Sequence, residues 1–191
     1  MLREFRRIFV PFVCGIGITM AMLLPTSGQG AGGTGAIRWV ISPTGKDREI
    51  HKELFEQIDS ARREIRIMLF QFTSRDLMTH VRNMKGKVKV RLLLDAKQAI
   101  NVKVSVHEEL QKSGVEIRFV KMPGSGAESP KFHHKVLVVD EHTVVTGSYN
   151  WSVLADELNH ENIVILRDAA TAKAFAAEFD RIWPTAKETL E

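Results

Sequence analysis

The sequence predicts an α/β fold, a mixed β-sheet flanked by helices on both faces, in one domain. Three observations predict it. Strand-like and helical apolar spacings alternate along the chain. The periodic part of the 191 residues has room for one hydrophobic core and little more. No internal repeat appears, and 44% apolar with 26% charged residues is the balance of a folded chain, which excludes disorder.

The elements follow in order. Residues 28–35 form a glycine-rich stretch, read as a linker over 31–36, that leads into a domain spanning 37–191. Ile37–Ser42 is a short apolar strand closed by Pro43 and Gly45. Ile50, Leu54, Ile58 and Ala61 recur at helical spacing, and Glu64–Phe72 returns to strand character. Arg75–Lys85 is helical, with Leu77, Met78, Val81 and Met84 on one face and Gly86 as its stop. Lys87–Asp95 alternates Val88, Val90, Leu92 and Leu94 against Lys89 and Arg91, the pattern of a half-buried strand. A helix over 103–113 turns Val106 and Leu110 inward, and Val115–Val120 is the next strand. After the aperiodic loop Met122–Pro130 come two strand-like runs, His133–Asp140 and Thr143–Thr146. Residues 162–166 make a last strand, and a closing helix over 169–183 packs Phe175, Phe179, Ile182 and Trp183 inward.

The N-terminus reads differently. Arg3, Arg6 and Arg7 precede the apolar run Ile8–Leu24, and small and polar residues follow from Thr26 to Gly35. That order is the pattern of a secretory signal over residues 1–30, with the run also at the lower limit for a membrane anchor. The protein is therefore expected to be exported, periplasmic or secreted, or held to a membrane by residues 8–24. The single cysteine, Cys14, lies in this run, which excludes an intrachain disulfide and a multi-cysteine zinc site. The formal net charge of +4 permits an anionic partner without requiring one.

The chemistry concentrates in HHKVLVVDEHTVVTGSYNWS, residues 133–152. His133 and Lys135 stand two apart on a Val/Leu-rich run, so their side chains leave one face. An imidazole beside an ammonium suits attack on a phosphate, one as nucleophile and the other holding anionic oxygens. Gly147 lets backbone approach a ligand, while Ser148 and Asn150 add neutral donors. Glu161 is a candidate to orient an imidazole. His134 points to the opposite face, His142 sits in a turn, and His160 in a loop. The seven histidines show no metal-ligand spacing, so no metal or cofactor is expected. Lys85, Lys87, Lys89 and Arg91 form a basic run with the character of either a nucleic-acid groove or a wet strand face. Phe132, Tyr149 and Trp151 flank the motif as stacking or core residues.

The spacing resembles the phospholipase D superfamily signature, H-x-K-x4-D-x6-G-S with an Asn two residues after the Ser. His133, Lys135, Asp140, Gly147, Ser148 and Asn150 match every position and gap. The resemblance extends from about Ile41 to Ile165 and is nearest to the short bacterial endonucleases that carry one signature per chain. It implies the phospholipase D/nuclease fold and a metal-free, two-step displacement in which one histidine attacks phosphorus and a second protonates the leaving oxygen. No second signature exists here: His51-Lys52 has the wrong spacing, and His80 and His107 lack the lysine. The resemblance therefore implies a homodimer that places two copies of His133 across a two-fold axis.

Within this set Lys135, Gly147, Ser148 and Asn150 are expected to bind substrate, and His133, Lys135, Asn150, Glu161 and Asp140 to form the catalytic set. Asp140 stands roughly 23 Å from His133 along an extended strand at about 3.3 Å per residue, which predicts a structural role at the strand end. Nucleic acid is the expected substrate, phospholipid the alternative, and a non-catalytic phosphate-binding module the reading the intact His, Lys, Asn and Glu set opposes.

Overall fold

The computed structural model describes residues 30–42, 48–101, 106–124 and 128–190. Its elements are β1 (Gly30–Thr34), β2 (Ile37–Ile41), α1 (Glu49–Asp59), β3 (Glu64–Leu69), α2 (Arg75–Met84), β4 (Lys89–Asp95), α3 (Ala96–Asn101) and α4 (His107–Lys112). There follow β5 (Glu116–Val120), β6 (Lys135–Val139), β7 (Thr143–Gly147), α5 (Val153–Glu157), β8 (Asn162–Arg167) and α6 (Ala169–Ile182). The strands form one mixed sheet in the order β1-β2-β8-β7-β6-β3-β4-β5. The β3-β4-β5 side is parallel and the remainder antiparallel.

Helices cover both faces, as the alternating periodicities predict. Ile50, Leu54 and Ile58 of α1 and Leu77, Val81 and Met84 of α2 pack on Ile65, Ile67, Leu92, Leu137 and Val145 of the sheet. On the other face Ala172, Ala176, Phe179 and Ile182 of α6 meet Met68, Leu93, Val136, Val138 and Val144. Central strands buried on both sides need unbroken apolar runs, which Leu92–Leu94 and Val136–Val139 supply. Local caps set the helix starts. The Ser74 hydroxyl accepts the Leu77 N–H at 3.4 Å, and the Asp168 carboxylate accepts the Thr171 N–H at 2.7 Å.

Four expectations are corrected. The glycine-rich stretch read as a linker over 31–36 contributes β1, antiparallel to β2. Glycine is required at Gly33, where a Cβ would lie 2.1 Å from the Ile37 carbonyl oxygen, a backbone atom that cannot swing aside. The helix expected over 103–113 begins at His107, though Val106 and Leu110 are buried as predicted, and an unexpected α3 follows β4 directly. Arg91 is not on a wet face. It is buried, bonded to Glu64 at 2.7 Å and Asp180 at 2.9 Å, and lies over the Phe179 and Trp183 rings. His133 precedes its strand, which starts at Lys135. The secretory or anchoring segment lies outside the described residues up to residue 29. Among the described residues no helix is long and apolar enough to cross a membrane.

Candidate active site

The site gathers at one end of the sheet, where β6 begins, β7 ends and β8 begins. The Leu69–Lys135 and Gly147–Ile163 pairings bring these ends together. Lys135 is buried as the first residue of β6, while His133 is exposed two residues earlier. Phe70, just past β3, touches both, with its ring 4.6 Å from the His133 ring and 5.1 Å from Lys135 Nζ. The two side chains therefore share a side, as their spacing predicts. The Lys135 ammonium donates to the His133 carbonyl at 3.1 Å. His134 turns the other way and packs against Phe132.

Electrostatics favour the neutral form of the His133 imidazole. Partial burial, with the Lys135 and Lys131 charges, holds its pKa below the ordinary imidazole value. Burial also lowers the Lys135 pKa, an effect that the nearby Glu161 carboxylate opposes.

Glu161 is buried and accepts a very short hydrogen bond from the Ser148 hydroxyl, with Asn159 Nδ2 donating to its other oxygen at 3.0 Å. Among the hydrogen bonds of the described residues none joins Glu161 to His133 within the chain; its partners are Ser148 and Asn159. Glu161 fixes Ser148 and adds negative charge near Lys135. The Ser148 Oγ also receives the Asn162 backbone N–H at 3.1 Å, which knots the end of β7 to the start of β8. Gly147 lets the two strands cross this closely, since a Cβ there would lie 2.1 Å from the Asn162 carbonyl oxygen. Asn150 presents a buried Oδ1 with no hydrogen-bond partner among the described residues. Its amide is thus uncommitted, and either end can face a phosphate oxygen or its hydration.

The structure corrects the catalytic reading of Asp140. It sits past the far end of β6 and accepts backbone N–H bonds from Arg62 and Arg63 at 2.8 Å and Glu64 at 2.9 Å. Burial pushes its pKa up, but these backbone donors and the Arg63 charge win and hold it below the usual carboxylate value. Asp140 (φ 54°) and Glu141 (φ 53°) make the tight turn into β7, a conformation aspartate tolerates. The motif aromatics are core residues: Phe132, Tyr149 and Trp151 are all buried, so none is open for stacking on a base.

Two residues escaped the sequence reading. Asp95, buried at the end of β4, accepts the Phe132 N–H and the Gln98 N–H, both at 2.9 Å, and so sets the segment that carries His133. A lone carboxylate ending an apolar parallel strand is the signal that marks it. His51, dismissed on spacing, is a fully buried hub. Its Nδ1 lies 2.5 Å from Asp156 Oδ1 and 3.0 Å from the Tyr149 hydroxyl, and its Nε2 lies 3.0 Å from the Ser74 hydroxyl. It thus holds Tyr149, the residue between Ser148 and Asn150.

A family model described as the cardiolipin synthase, PLD-like domain matches residues 54–183, most of the chain. The chain belongs to the phospholipase D superfamily. It is 32% identical over 125 residues to a phospholipase D of Rickettsia conorii, covering 65% of this chain and 59% of that protein. It is 33% identical over 132 residues to the mitochondrial cardiolipin hydrolase of Homo sapiens, covering 68% of this chain and 49% of that protein. The chain thus spans between half and three fifths of the length of these relatives. Among solved structures, the phospholipase D family member Nuc from Salmonella typhimurium is 28% identical with a TM-score of 0.68, over 80% of this chain and 96% of that one. NucT from Helicobacter pylori shares the fold with a TM-score of 0.71 at 22% identity, over 79% of this chain and 97% of that one. The eight-stranded mixed sheet is the fold of this superfamily.

Proposed function

We propose that this superfamily member is a metal-independent phosphodiesterase that hydrolyses DNA or RNA. The observation that carries the proposal is the convergence of a neutral-poised His133 with Lys135, Asn150 and the Ser148–Glu161 pair at one strand end. A His133 ring nitrogen attacks phosphorus, Lys135 and Asn150 hold the non-bridging oxygens, and the bond to the leaving oxygen breaks. A protonated second histidine gives that oxygen its proton. The same histidine, now neutral, takes a proton from water, whose oxygen displaces the phosphohistidine and restores His133. The chain supplies one such histidine, and its copy in a homodimer supplies the other.

Nucleic acid is favoured over lipid by two features. Lys131 and Lys135 flank His133, a cationic approach that suits a polyanionic backbone. The solved structure at 28% identity, the phospholipase D family member Nuc from Salmonella typhimurium, is also covered over 96% of its chain by this fold. The names of the phospholipase D and cardiolipin hydrolase relatives keep phospholipid as the second reading. Incubating the chain with plasmid DNA, RNA and phosphatidylcholine vesicles in EDTA, beside His133→Ala, tests both. Nucleic-acid cleavage that survives EDTA and vanishes in the variant is expected. Undiminished cleavage by His133→Ala would sink the nucleophile, and lipid turnover alone would promote the second reading.

A further inference from the structure

Strand β2 is built the wrong way round for a water-facing strand. Its residues alternate, as strand residues must. Yet Arg38 and Val40 face the α1 side, where Arg38 bonds Glu53 at 2.6 Å. Ile37, Trp39 and Ile41 face outward at 45%, 40% and 41% exposure. An antiparallel strand with one solvated face ordinarily presents polar residues there. The cross-strand partners on the same face continue the pattern. Ile37 pairs with Leu166 and Thr34, Trp39 with Val164 and Gly32, and Ile41 with Asn162 and Gly30. None of these positions is charged. Helix α6 covers β3, β6 and β7 on this side, and its apolar residues reach Leu166 but leave the β2 face open.

The sequence that runs into this face indicates its occupant. The apolar run Ile8–Leu24 is joined to β1 by Pro25–Gln29 alone. Six residue steps at about 3.4 Å hold Gly30 within roughly 20 Å of the end of that run. Gly30 begins β1 at the catalytic end of the sheet, two strands from Asn162 and hence about 10 Å away at ~4.8 Å per strand. A tryptophan between two isoleucines, free of charge and tethered beside a membrane-length apolar run, has the chemistry of a bilayer interface, where amphipathic indole rings settle.

We propose that the Ile37–Trp39–Ile41 face docks on a phospholipid bilayer, turning the catalytic end of the sheet toward the headgroup layer. The partner is the membrane surface itself, whichever phosphodiester the site cleaves, so docking stands apart from the substrate assignment.

The test reconstitutes the full chain in phosphatidylcholine vesicles whose acyl chains carry bromine near the headgroup. Tryptophan emission is compared with that of Trp39→Phe, with circular dichroism to confirm that the variant folds. Trp151 is buried and Trp183 packs on Phe179, so the wild-type-minus-variant signal isolates Trp39. The expected result is a Trp39 signal that is blue-shifted and lost to bromine quenching, with both effects reduced in Ile37→Ser/Ile41→Ser. An unquenched Trp39 in the same vesicles would overturn the proposal. So would a blue shift that depends on protein concentration and not on lipid, which would assign the face to a second copy. His133-dependent cleavage in the same preparation is read separately, so failure to dock and failure to cleave are told apart.

Discussion

At the scale of single residues, His133 and Asp140 differ in what surrounds them, though one signature contains both. Partial desolvation, with two lysine charges beside it, lets the free-base form of His133 persist below the ordinary pKa near 6.5. The acid limb of the kcat/KM profile is expected below about pH 6.5. Removing a like charge favours protonation, so Lys131→Ala raises the His133 pKa and moves that limb upward, which a pH–rate profile reads directly. Asp140→Ala behaves otherwise. It strips three backbone N–H groups of their acceptor, and thermal melts should show a loss of about 1–2 kcal/mol with kcat near the parent's. The strand-length estimate already pointed to that division. The Glu161–Ser148 bond was not legible, because proximity in sequence to β8 says nothing about which polar group a carboxylate meets across a strand crossing. The Ser148 hydroxyl, at the end of β7, is the donor it meets.

Among the elements, the β7–β8 crossing and the α1–α2–α5 junction govern the geometry of the site. Gly147→Ala would drive a methyl into the Asn162 carbonyl, a backbone group that cannot swing aside. Strand separation there should cost about 1–3 kcal/mol and displace Ser148 from Glu161. A crystal structure and kcat of the variant check both. His51 joins α1 to Ser74 at the start of α2, Asp156 of α5 and Tyr149, so His51→Ala leaves several buried polar groups unpaired. Chemical denaturation should show a loss of about 2–4 kcal/mol. Burial also lowers the His51 pKa, with the Asp156 charge opposing and Arg48 assisting. The unfolded chain then binds the proton more readily. Stability is complete above about pH 6.5 and falls as pH drops from there toward the folded-state value. His51→Gln should flatten part of that slope, with His107 and His134, lowered in the same direction, supplying the rest. Most elements were legible from the apolar pattern, since α2 and α6 carry their burial in their spacing and β6 in its unbroken apolar run, while the alternation of β4 hid the burial of Arg91. The Gly-rich β1 was not, because a strand made mostly of glycine leaves no apolar period to read. The His51 hub was not either, because its partners lie far away in sequence.

For the whole molecule, the proposed two-fold site makes a quantitative demand on mixtures. If each site needs one His133 from each chain, equal parts of parent and His133→Ala chains allowed to exchange leave about a quarter of the parent activity, whereas independent sites leave about half. Titrating the variant into the parent at fixed total protein, with sedimentation to confirm pairing, decides between the two curves. The sheet order has one more effect, and it concerns time. β2 finds its partner β8 only near the other end of the chain, and Ser42 and Glu161 exchange backbone hydrogen bonds across that same gap. Pairings so distant along the chain pay a large loop-closure entropy and form late. During refolding the central strands and Trp151 should therefore settle first. The segment that carries Glu161 is then cinched into place last by the N-terminal hairpin, so the chain has its core before it has its site.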